Sequence, residues 1–180
     1  MRCTCLLIVT GLLIGGCQTF ETPDRPASPR MFEPAAMRIH PIFTQIRDWN
    51  GDGNFDGIEA LIELPDAFDD PTKASGTVLF ELFSYRPRHP DPRGERLVNP
   101  WIGSLNTAAQ QEAHWSGTTQ TYNFQLAWPQ IDPRQTYVLT ATFETSDGKR
   151  FFDRTILVPP NPPSDAPDRP QSPSTQPAGS

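Results

Sequence analysis

A side-chain alternation in the second half of the chain limits its folding most. Tyr122, Phe124, Leu126 and Trp128 alternate with Thr121, Asn123, Gln125 and Ala127. Successive side chains of a strand point to opposite faces, so a period of two with one bulky face marks a half-buried strand. Tyr137, Leu139, Ala141 and Phe143 repeat the pattern against Val138, Thr140, Thr142 and Glu144. Ser146-Asp147-Gly148-Lys149 follows, and Asp-Gly between β-prone runs is a strong hairpin signal. A two-residue type I′ turn would set Ser146 opposite Lys149 and, counting outward, Phe143 opposite Phe152, Ala141 opposite Arg154, Leu139 opposite Ile156 and Tyr137 opposite Val158. That register predicts one apolar face, with Arg154 as its exception.

Residues 77–85 (Thr-Val-Leu-Phe-Glu-Leu-Phe-Ser-Tyr) read as a central strand, and residues 37–46 and 58–64 as weaker ones. No long segment has a helical period. Ala108, Ala109, Gln110, Gln111 and Glu112 allow one short helix within residues 106–115. Several short strands separated by turn signals predict an all-β fold, an antiparallel immunoglobulin-like β-sandwich over residues 31–158. The body contains no cysteine, because Cys3, Cys5 and Cys17 all precede it. It therefore depends on a hydrophobic core rather than on disulfides.

The 21 prolines are unevenly spread. Residues 17–30 read as a polar, Pro-rich tether. Residues 159–180 contain no aromatic residue and no aliphatic one beyond alanine, so they have nothing to bury and are expected to be a disordered tail.

At the start of the chain, Arg2 precedes an apolar stretch at residues 6–14. This is too short to span a bilayer, which takes about 20 apolar residues, and it has the form of an export signal. Its end, Leu13-Ile14-Gly15-Gly16-Cys17, resembles the lipobox of bacterial lipoproteins, with Ile14 where leucine is commonest. The resemblance implies that residues 1–16 are a cleaved signal peptide. It also implies that Cys17 carries a diacylglyceryl group and that its new amine accepts an acyl chain such as palmitate. The protein would then be membrane-anchored in the bacterial cell envelope. In that family's sorting rule Gln18, in place of aspartate, implies the outer membrane rather than the inner.

A formal net charge of −6 opposes binding to nucleic acid and charge-driven binding to anionic lipid. Acid is concentrated in one place. Asp48, Asp52, Asp56, Glu59, Glu63, Asp66, Asp69 and Asp70 fall in 23 residues without a lysine or arginine. Within this run Asp48-Trp49-Asn50-Gly51-Asp52-Gly53-Asn54-Phe55-Asp56-Gly57-Ile58-Glu59 resembles the twelve-residue EF-hand calcium loop. Calcium takes six to eight hard oxygens, and a tight loop offers them on alternate residues, with glycine at the sharp turn. The resemblance implies a structural Ca²⁺ held by Asp48, Asn50, Asp52 and Asp56, by the backbone carbonyl of Asn54, and by Glu59. The flanks differ from an EF-hand. Pro41 and β-branched neighbours precede the loop and Pro65 closely follows it, so it is expected to join two strands.

Signals of catalysis are missing. His40, His89 and His114 lie singly, without metal-ligand spacing, and there is no Gly-x-Ser-x-Gly elbow or phosphate loop. The expected function is a non-catalytic structural or interaction module. The long connection after residue 85 carries Arg86, Arg88, Arg93, Arg96, Trp101 and Trp115. Its two tryptophans are candidates for ligand binding, which makes a glycan-binding module the alternative and an envelope hydrolase the third reading. Possible partners are an envelope protein or a glycan.

Overall fold

The structure, a computed structural model, describes residues 31–159. The expected signal peptide (residues 1–16), the expected tether (17–30) and all but Pro159 of the expected tail (159–180) lie outside the described residues. In chain order the elements are β1 (Arg38–Ile39), β2 (Gln45–Arg47), β3 (Gly57–Glu63), β4 (Gly76–Tyr85), β5 (Arg93–Arg96), β6 (Trp101–Ser104), α1 (Ala108–His114), β7 (Trp115–Ser116), β8 (Thr121–Ala127), β9 (Tyr137–Thr145) and β10 (Arg150–Leu157).

The strands form two antiparallel sheets. In one, β1 and β2 both flank β3, and β8 and β7 follow on its other side. In the other the order is β10-β9-β4, with β5 and β6 both against the far edge of β4. These are the A-B-E-D and G-F-C-C′ orders of an immunoglobulin-like sandwich. A second hallmark agrees. The Tyr137 hydroxyl, at the start of β9, donates to the Asp132 carbonyl and accepts from the Asp132 N–H, both at 3.0 Å. This is the tyrosine corner of that fold.

Inward positions form a continuous core of Ile58, Ile62, Phe80, Leu82, Tyr122, Phe124, Leu139 and Phe143. Each large apolar side chain so buried stabilises the fold by roughly 1.5–3 kcal/mol, and here no disulfide adds to that. Gly103 lets β6 lean on the core, since a Cβ there would lie 2.4 Å from the Phe124 ring. The short helix α1 forms as expected, opened by a capping box between Thr107 and Gln110.

The hairpin between β9 and β10 departs from the expected register by one residue. Phe143 pairs with Phe151 and Thr142 with Phe152. The loop has three residues: Gly148 N–H donates to the Thr145 carbonyl (3.0 Å), and Thr145 N–H to that of Lys149 (2.9 Å). Only Gly148 takes a positive φ, at 84°, so a type I turn followed by a left-handed glycine replaces the type I′ turn. A slip of one residue reverses the faces of a strand. Phe152 is therefore 55% exposed, as Ile156 and Val158 also are, while Phe151, Asp153, Thr155 and Leu157 point inward. Asp153 has a use there: its Oδ2 accepts the Ile39 N–H at 2.8 Å and links β10 to the other sheet. Arg154 lies outside, 3.4 Å from Asp91.

Register also assigns the loops to the two ends of the sandwich. β3 begins at Gly57, paired with Arg47 and Ala127, and ends at Glu63, paired with Arg38. One end therefore carries loop 48–56 and loop 128–136, and Leu157, paired with Tyr137, brings the last described residues there. The other end carries loop 64–75, the 146–148 turn and the start of the described chain, since Ala35 N–H donates to the Pro65 carbonyl at 2.8 Å.

Candidate metal centre

Loop 48–56 joins β2 to β3, strand to strand, as its flanks predict. Its base is closed by Asp56, whose N–H donates to the Arg47 carbonyl (2.9 Å) and whose carbonyl accepts from Trp128 N–H (2.8 Å). At the entry to β3, Gly57 is required by close approach, because a Cβ would lie 2.1 Å from the Leu126 carbonyl oxygen.

Inside the loop Asp48, Asn50, Asp52 and Asp56 turn the backbone around themselves. Asp48 accepts the N–H groups of Asn50 (3.2 Å), Gly51 (2.7 Å) and Gly53 (2.8 Å). Asn50 Oδ1 accepts from Asp52 N–H and Asp52 Oδ1 from Asn54 N–H, both at 2.8 Å. Asp56 Oδ2 accepts from Trp49 N–H at 2.8 Å. These side-chain-to-backbone turns suit Asp and Asn. Gly51 and Gly53 provide the left-handed positions, with φ of 75° and 88°. The Gly53 N–H, followed by those of Gly51 and Asn50, holds the Asp48 carboxyl below its ordinary range.

The donor chemistry of this loop fits a hard divalent cation. An ionised carboxylate has about four lone-pair sites, and Asp52 and Asp56 use only some of theirs within the loop. The geometry is not a finished cage: among the described residues, no three His, Cys, Asp or Glu side chains converge as metal ligands. The predicted donors Asp48, Asn50, Asp52, Asn54 and Asp56 lie together in the loop. Glu59 lies on β3, where Arg47 Nε donates to Oε2 (2.9 Å) and Asn123 Nδ2 to Oε1 (2.8 Å). An ion would recruit Glu59 only by breaking these two bonds. Arg47, one residue before the motif, was visible in the sequence, but Asn123 came beside Glu59 only through the pairing of β8 with β3.

The two candidate tryptophans occupy separate cavities. Trp101 donates from Nε1 to the Ala127 carbonyl at 3.1 Å, tying β6 to β8 across the sheets. Trp115 packs edge-on against Tyr122, with the Lys73 ammonium 4.6 Å from the centre of its ring. Trp101 shares its cavity with His114 and Gln125, and Trp115 shares its own with Gln111 and Glu112. They form no common platform.

The chain matches no family model, no curated protein and no solved structure.

The histidines serve local structure in three places. His40 accepts from the N–H groups of Ile42 and Phe43 and stacks on the Phe43 ring. His89 bonds the backbone of Asp91, and His114 bonds the Asn123 carbonyl while stacking on Phe124. Arg93 pairs with Asp91 and holds its carboxyl down to about 2. Arg96 pairs with Glu81. Sequence reasoning counted Asp66 only as part of the acidic run and missed its role in shaping a loop, although the prolines at 65 and 71 that bracket that loop were a usable signal. Asp66 as a residue is 7% exposed, and its carboxylate accepts the N–H groups of Phe68 (2.8 Å) and Asp70 (3.1 Å).

Proposed function

We propose that this protein is a lipid-anchored module of the bacterial cell envelope, non-catalytic and structural or interaction-bearing, with a calcium-stabilised loop. The observation that carries the anchor is the apolar segment ending in Leu13-Ile14-Gly15-Gly16-Cys17, with thirteen residues between it and the first described residue of a body without cysteines. A single acyl chain binds a membrane only marginally, so the diacylglyceryl group with an added acyl chain supplies stable attachment. Gln18 directs the anchor to the outer membrane in preference to the inner.

Loop 48–56 supports the second half of the reading. Asp48, Asn50, Asp52 and Asp56 would hold Ca²⁺ through side-chain oxygens, and Asn54 through its carbonyl. Bound calcium supplies positive charge that offsets the repulsion of the clustered carboxylates. The residues themselves shape the turns, and the Arg47–Gly57 pair fixes the two ends of the loop. Their task is to stiffen one end of the sandwich.

The anchor is tested by expressing the full chain in a bacterial host and partitioning it between detergent and water. The wild type should enter the detergent phase and show a lipid mass on Cys17, and Cys17→Ser should remain aqueous. A mature protein with an unmodified thiol would overturn the reading.

A further inference from the structure

The start of the described body bears an aromatic pair that the other described residues leave largely uncovered. Phe32 is 73% exposed and Phe68 58%, with ring centroids 6.2 Å apart and Met31 exposed beside them. Soluble surfaces carry single apolar residues, but a contiguous cluster marks a contact site. This one is held rigidly. The Thr72 hydroxyl donates to the Phe32 carbonyl at 3.0 Å, and Ala35 N–H to that of Pro65 at 2.8 Å. Asp66 fixes the Phe68 loop from inside, and Asp66 N–H closes it on the Asp70 carbonyl at 2.9 Å. The fold therefore keeps two aromatic rings in water at a fixed position.

We propose that this end of the sandwich seats on the bilayer to which the chain is anchored, with Phe32 and Phe68 entering its interface. The proposal rests on the lipid-anchor reading. Thirteen residues separate Cys17 from Met31, and fourteen extended steps span at most about 50 Å. A lipid on Cys17 thus confines the body near a bilayer, and the body's chain starts at the aromatic pair. Tethering at that range turns a weak contact into an intramolecular one.

Charge indicates the type of contact. Asp69, next to Phe68, is paired with Arg38 at 2.6 Å, Asp70 beyond it is exposed, and the chain is acidic as a whole. The contact is then apolar and aromatic, as at membrane interfaces, and independent of anionic lipid. In this orientation the calcium loop and Pro159, at the opposite end, face away from the bilayer. A second apolar patch, Ile42, Phe43, Ile156 and Val158, lines the side of the sandwich and offers the rival orientation.

The experiment uses the mature lipidated chain in phosphatidylcholine vesicles. An environment-sensitive fluorophore is attached to Phe68→Cys, Ile156→Cys or Gln130→Cys in turn, because Cys17 bears lipid and leaves the new thiol as the only target. All three sites are exposed, and circular dichroism checks folding. The label at 68 should shift to the blue and lose emission to brominated lipid, unchanged by salt, while those at 156 and 130 should not. Quenching at 156 or 130 in place of 68, or at none of them, overturns the proposal while the anchor stands. Mass spectrometry of the same sample showing no lipid on Cys17, with no protein on the vesicles, overturns the anchor reading and the proposal with it.

Discussion

The two ends of the sandwich use one device for different results. At one end Asp48 gathers three backbone N–H groups, and at the other Asp66 gathers two. Asp66 is buried, its loop is bracketed by the facing Pro65 and Pro71, and its neighbour Asp69 is neutralised by Arg38. Asp48 is partly open to solvent, with Asp52 and Asp56 in the same loop, and the nearby arginine, Arg47, is engaged with Glu59. An aspartate that organises a turn is therefore no sign of a metal by itself. The difference lies in crowding: at the first end three aspartate side chains share one nine-residue loop, where a cation would relieve their repulsion.

The largest effect expected from breaking this contrast is at the hinge of the acidic loop. Gly57→Ala forces a Cβ against the Leu126 carbonyl, and overpacking of this kind costs about 1–3 kcal/mol or more. Urea denaturation should show a clearly lower midpoint, and an unchanged one would mean that β3 can move away from β8 at little cost. Asp66→Ala comes next. It strands two N–H groups that are only partly buried, so water recovers part of the loss and the total is about 1–2 kcal/mol. The fall in melting temperature should be the same in EDTA and in calcium, because this end has no use for the ion.

Calcium should act in the opposite way. A ligand that binds only the folded state at ten times its Kd adds about 1.4 kcal/mol. For a domain of this size that is a rise of roughly 3–6 °C in the melting temperature of the signal-free protein. Asp52→Ala should remove the rise. Identical wild-type melts in EDTA and millimolar calcium, with no heat of binding, would reduce the loop to an acidic turn.

The smallest effect is with acid, and it too divides the ends. Asp48 is held low chiefly by the Gly53 N–H, Asp91 chiefly by the Arg93 side chain and Asp132 chiefly by that of Arg134. All three lie in the loops at the acidic-loop end. A carboxyl depressed in the folded state contributes stability above its unfolded value, ordinarily 3.8, and loses it as pH falls through the folded value, about 2 for Asp91. Melting temperature should therefore decline slightly across that window. These groups are solvent-exposed, so salt should erase much of the effect. A decline that salt leaves intact would rule out these exposed pairs as its source.

Much of this was legible in the residue order, for reasons that are local. The alternation of residues 121–128 and 137–144 marked β8 and β9, because strand period is a property of neighbouring side chains. Propensity marked α1, and Pro41 and Pro65 excluded helices around the acidic loop. The one-residue error in the 146–148 turn is instructive. Asp-Gly suits both a type I′ turn and a type I turn with a left-handed glycine, and only Asp147's conformation separates them. The short strands β5, β6 and β7 had no signal, since two to four residues cannot establish a period.

By itself the sequence determined the all-β class, the cysteine-free core, the strand-to-strand acidic loop with its five clustered oxygen donors, and the chemistry expected at Cys17. Each follows from composition or from residues a few positions apart. Tertiary structure alone decided the strand order, the engagement of Glu59 by Arg47 and Asn123, the Asp153 link between sheets, and the pairing of Phe32 with Phe68. These depend on contacts across tens of residues, such as the 64 between Glu59 and Asn123. They form only when burial of the whole core outweighs the entropy of closing the intervening chain.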